Sequence, residues 1–133
     1  MSIKAFLFDL DGTLVDSIPD LTRAVNLLRN EFSIAVVSSD QVRTYVGVGV
    51  GLLLQRALPE DLFSANQRTR FMDIYTEHLT DETIVYPGIF EFLQMHHDKP
   101  MAVVTNKPQN LAEIIVDRLG LAPFFSEVIG AEL

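Results

Sequence analysis

The sequence holds no cysteine among its 133 residues. That excludes a disulfide framework, a thiolate metal site and a cysteine nucleophile at once. Positive charge is also scarce, with ten Lys and Arg against eighteen Asp and Glu, for a formal net charge of −8. Such a balance argues against non-specific nucleic-acid binding, which needs clustered Lys and Arg. Any anionic substrate must then be drawn by local positive charge and not by the overall field. No apolar run approaches the length that spans a bilayer, and the amino-terminal run ending at Phe8 is too short for a signal peptide. The expectation is a soluble, cytoplasmic protein with neither a nucleic-acid nor a membrane partner. What is present is ordinary: 48% hydrophobic and 21% charged residues supply a core for one domain or two small ones.

The apolar run 3–8 stops at a cluster of Asp, Gly and Thr, which reads as a strand buried on both faces of a parallel sheet and ending in a functional loop. Over residues 19–31, Leu21, Val25, Leu28 and Phe32 recur at helical spacing behind the start signals Asp16 and Ser17. Ser38, Ser39 and Asp40 look like the cap of a second helix, interrupted by Gly47, Gly49 and Gly51 and resumed through residues 52–58. A third helix is expected over residues 60–79. After the turn at Tyr86, Pro87 and Gly88 the pattern alternates: a helix over 89–97, a strand over 101–104, a helix behind Pro108 that stops at Gly120, and a strand over 127–130. The expected architecture is α/β, a partial three-layer parallel Rossmann-like core with an inserted α-helical cap. Residues 1–15 and 87–133 form the incomplete core, and residues 16–86 the cap.

Asp9 and Asp11, two apart on an extended segment, share a face at the carboxyl end of the first strand, where ligands of parallel sheets bind. Phosphoryl transfer needs a nucleophile, a proton donor for the leaving alcohol and cations to offset the charge on the transferred oxygens. One Asp can attack and the other can carry the proton. Their mutual repulsion and their oxygen donors suit Mg²⁺. Gly12 lets the backbone turn and offer its amide to a phosphate, and Thr13 adds a hydroxyl. Thr105 and Asn106, read alone, form a helix cap ahead of Pro108. Adjacent His96 and His97 point to different sides of a helix and read as a solvated helix end, not a metal site. The three glycines 47, 49 and 51 are not a dinucleotide fingerprint, because no strand precedes them and position 52 is Leu.

The segment Asp9-Leu10-Asp11-Gly12-Thr13-Leu14-Val15-Asp16-Ser17 resembles the first motif of the haloacid dehalogenase-like hydrolases, and the chain is most similar to their phosphoglycolate phosphatase-like branch. Val103-Val104-Thr105-Asn106-Lys107-Pro108 is similar to the second motif. The resemblance implies a Mg²⁺-dependent phosphomonoester hydrolase acting on a small phosphorylated metabolite. Asp9 would become aspartyl phosphate. Asp11 would be the general acid and base and would join Asp9 in holding the metal, while Gly12, Thr105, Asn106 and Lys107 would bind substrate. The glycine stretch 47–51 is similar to the substrate-facing loop of the cap. The family's pattern continues with a Lys-Pro motif and a Gly-Asp motif that completes the metal shell, and neither occurs in these 133 residues. The reading is therefore a piece of a longer phosphatase whose open sheet edge invites self-association. The alternatives are a catalytically silent phosphate-binding module, or a related sugar-phosphate phosphatase, pyrophosphatase or mutase.

Overall fold

The computed structural model describes residues 2–132. They divide into two compact units: one holds the residues up to Asp16 together with those from Ile84 onward, and the other is Ser17–Thr83.

The first unit is built on a parallel sheet in the order β1 (Phe6–Phe8), β4 (Met101–Pro108), β5 (Glu127–Ala131). Phe6 is registered with Met101, Phe8 with Val103, and Val103 with Val128. Helix α5 (Ile89–Met95) leads into β4, and α6 (Gln109–Arg118) joins β4 to β5. Both crossovers run the same way across the sheet, so right-handed connections put both helices on one face. That face is the core. Phe6 and Phe8 meet Phe92 edge-on at ring-centroid distances of 5.3 and 6.0 Å, and Val103, Leu111 and Ile115 are wholly buried.

The opposite face carries Leu7, Val104 and Ile129, which are 74%, 44% and 48% exposed. The reading of the first strand as buried on both faces is thus corrected: β1 is a three-residue strand at the sheet edge with one covered face. A continuous apolar run specifies a strand, but it does not say whether both sides have a neighbour. A small antiparallel ribbon was not foreseen. It pairs β2 (Val15–Asp16) with β3 (Ile84–Val85), Val15 opposite Val85 and Asp16 opposite Ile84.

The second unit is helical: α1 (Ile18–Glu31), α2 (Ser39–Arg43), α3 (Val50–Ala57) and α4 (Ala65–Glu77). Leu21, Ala24, Val25 and Leu28 of α1 are buried, as are Phe71, Ile74 and Tyr75 of α4, and the two helices pack together. Ser17 occupies the N-cap position of α1 without a side-chain capping bond. Ser38 and Gln41 cap α2 reciprocally, the Ser38 hydroxyl accepting from the Gln41 N–H and the Gln41 amide oxygen from the Ser38 N–H. The expected single helix over 60–79 is instead a 3₁₀ turn at Glu60–Leu62 followed by α4. Ser64, in extended backbone, accepts from the Gln67 N–H and starts α4 afresh.

Asp20 anchors this unit. Its carboxylate is fully buried and accepts from the Glu82 N–H at 2.9 Å, the Thr83 N–H at 2.8 Å and the Thr83 hydroxyl at 2.6 Å. The first turn of α1 is thereby tied to the last residues of the unit.

Candidate active site

Asp9 follows directly on β1. Because Phe8 is registered with Val103 of the neighbouring parallel strand, Asp9 and Thr105 emerge at the same end of adjacent strands, all within the first unit. The Asp9 side chain is exposed, and its Oδ1 accepts from the Leu10 N–H at 2.7 Å. That bond engages one of the two carboxylate oxygens.

The chain then folds tightly. The Leu10 carbonyl accepts from the N–H groups of Thr13, Leu14 and Val15 at 3.0 to 3.2 Å, while Leu10 and Leu14 are buried below. Gly12 has φ of +81°, a left-handed conformation that disfavours any side chain. Its N–H donates to the Val15 carbonyl at 2.9 Å. The amide expected to face a phosphate is thus engaged within the turn.

The second motif differs from its reading as a strand end opening a helix. Strand β4 continues through Thr105, Asn106 and Lys107 to Pro108, and its pairing with β5 shifts register between Val104 and Pro108. Thr105 and Lys107 are buried on the covered side, and Asn106 is exposed. The Thr105 hydroxyl accepts from the Lys107 N–H at 3.1 Å, which leaves its own proton available to an anion. Lys107 Nζ lies 3.3 Å from Asp11 Oδ2, with side chains only 5% and 14% exposed. Little solvent screens that pair. The two motifs, far apart in sequence, meet at this contact.

Two supporting residues escaped the sequence reading. Where the β4–β5 ladder breaks, the Gln109 side chain replaces it: Nε2 donates to the Val128 carbonyl at 2.7 Å and Oε1 accepts from the Gly130 N–H. A Cβ at Gly130 would lie 2.7 Å from the Lys107 carbonyl oxygen. Gly130 is therefore the residue that lets β5 close on the loop. Neither has a sequence signal, since a backbone approach leaves no pattern beyond a lone glycine.

The His96 ring lies tilted against Phe92 with centroids 4.4 Å apart, and His97 Nδ1 lies 2.8 Å from the Gln94 carbonyl. No group of three or more His, Cys, Asp or Glu able to hold a metal occurs among the described residues. No helix among them is long and apolar enough to cross a membrane. Gly47 and Gly49 both have positive φ, +123° and +100°, so the break between α2 and α3 depends on glycine backbone.

The chain is 37% identical to a phosphoglycolate phosphatase of Chromobacterium violaceum, over 98% of this chain and 63% of that protein. It is 40% identical to a phosphoglycolate phosphatase of Caulobacter vibrioides, over 95% of this chain and 56% of the relative. A crystal structure described as a predicted phosphoglycolate phosphatase from Haemophilus somnus superposes with a TM-score of 0.88 at 32% identity, over 96% of this chain and 62% of the other. The chain thus spans less than two thirds of the length of these relatives. The family model of the haloacid dehalogenase-like hydrolases matches residues 6–133, and the chain, with its parallel sheet and the paired motifs at the ends of β1 and β4, belongs to that family.

Proposed function

We propose that this chain is the nucleophile-bearing part of a cytoplasmic Mg²⁺-dependent phosphomonoesterase of the phosphoglycolate phosphatase type, working through an aspartyl phosphate on Asp9. The observation that carries the reading is the contact of Lys107 with Asp11 beside Asp9, which draws both motifs to one end of the sheet. Asp9 Oδ2 attacks phosphorus and the ester oxygen leaves. Asp11 hands that oxygen a proton and then takes one from the water that cleaves the aspartyl phosphate. Thr105 donates its hydroxyl to the phosphoryl oxygens, and Asn106, exposed on the same strand, would meet the rest of a small anionic substrate.

Asp9 and Asp11 offer oxygen donors from one loop, which suits Mg²⁺, an ion that keeps several waters. Bound there, it would neutralise charge on the phosphoryl group. Two carboxylates make a partial shell, and this favours a second reading: a module that holds phosphate with little turnover. Hydrolysis of 2-phosphoglycolate and of an aryl phosphate, with and without Mg²⁺, separates the two. Mg²⁺-dependent phosphate release above the background of the Asp9→Asn protein supports the phosphatase. Phosphate binding with no release supports the module.

A further inference from the structure

We propose that Lys107 is a positioning residue for Asp11 and not a grip on the substrate, an inference that rests on the phosphatase reading above. Three observations on the lysine agree. Its side chain is almost wholly buried, so the ammonium is poorly placed to meet a substrate arriving from solvent. Its Nζ stands 3.3 Å from Asp11 Oδ2. Its own N–H is bonded to the Thr105 hydroxyl, and Gly130 packs so closely on its carbonyl oxygen that no side chain fits there. The lysine backbone is held at two points, and its side chain reaches from one motif to the other.

The consequence is chemical. Asp11 stands directly before the left-handed Gly12 in a tight loop, and a carboxylate on such a loop has several rotamers open to it. The fixed ammonium selects one of them. It also engages the Asp11 carboxylate with a cation supplied by the protein, so the orientation of the acid is set before a substrate arrives. Thr105, Lys107 and Asp11 then act as one assembly: the hydroxyl for the phosphoryl oxygens, the ammonium for the orientation of the acid.

The test is a cycle of four proteins: the unsubstituted chain, Lys107→Met, Asp11→Asn and the double variant. Thermal unfolding without substrate reads the pair itself, and the two melting shifts should be clearly less than additive. In Mg²⁺-dependent hydrolysis of an aryl phosphate, Lys107→Met should lower kcat by about tenfold or more with KM changed by less than about threefold, as expected of a group acting through the general acid. In the Asp11→Asn background the lysine change should have no further effect on kcat, and Lys107→Arg should recover part of the loss. Additive melting shifts would overturn the proposal, as would a KM that rises while kcat is kept. Because the melting cycle needs no substrate, it decides the pair even where the unsubstituted chain hydrolyses nothing, a result that counts against the phosphatase reading instead.

Discussion

Asp9 and Asp20 are the same side chain eleven residues apart, and the molecule uses them in opposite ways. Asp20 is fully buried, with its oxygens occupied by two N–H groups and a hydroxyl. Asp9 is exposed, and a single N–H engages one of its oxygens. A carboxylate saturated by hydrogen bonds is a fastener, whereas one with an oxygen left over at the end of a strand has the chemistry to be a reagent. Burial alone would mislead here, since the more deeply buried acid is the structural one.

That contrast breaks most visibly at Asp9. Asp9→Asn is expected to lower Mg²⁺-dependent phosphate release by about a thousandfold or more, while its unfolding free energy moves by less than about 0.5 kcal/mol. Release and melting measured on the same preparation check both halves. An active Asp9→Asn protein would remove the covalent mechanism.

Asp20→Ala should do the reverse. It strands two N–H groups in a buried site and should cost about 3 kcal/mol in urea unfolding, with chemistry per folded molecule retained. A midpoint equal to that of the unsubstituted chain would mean that solvent replaces the carboxylate.

A smaller effect should come from the open β1 edge, through which we propose that a second copy of the chain docks, with exposed Leu7 at the contact. An open strand edge beside exposed apolar side chains is prone to such pairing. Light scattering should give a mass above that of the monomer, and Leu7→Lys should restore the monomer. A monomer at every concentration would refute the docking.

The smallest effect belongs to the exposed pair of Glu31 and Arg70, in which Arg70 Nη2 lies 2.7 Å from Glu31 Oε2. Hydrogen bonding from Arg70 holds the Glu31 carboxyl below its ordinary range. A depressed carboxyl stabilises the fold above its unfolded pKa, and that contribution fades as pH falls through the lowered value. Glu31→Gln should therefore lower the melting temperature slightly near neutrality, and the difference from the unsubstituted chain should disappear as the pH falls through the lowered value, which a pH series of melting curves checks.

How much of this was legible follows the same division. The Asp9 to Ser17 motif could be read because its residues match the first motif of the family. Asp20 could not, since an Asp in the first turn of a helix looks like ordinary dipole compensation and its partners lie 62 and 63 residues away. The helices of the second unit were legible from periodicity, except where Ser64 restarts α4. The exposed side of β1 was not, because an apolar run reads alike whether one face is covered or two. Lys107 was assigned to the substrate on its place in a motif, and only the coordinates bring it onto Asp11.

The ribbon of β2 and β3 has a meaning for how such a protein can be altered. Asp16 and Ile84 are antiparallel neighbours, so the whole Ser17–Thr83 segment leaves and re-enters the sheet unit at one rung. A two-residue turn could bridge that rung. An exchange or removal of the helical segment would therefore have only two neighbouring residues, Asp16 and Ile84, to rejoin.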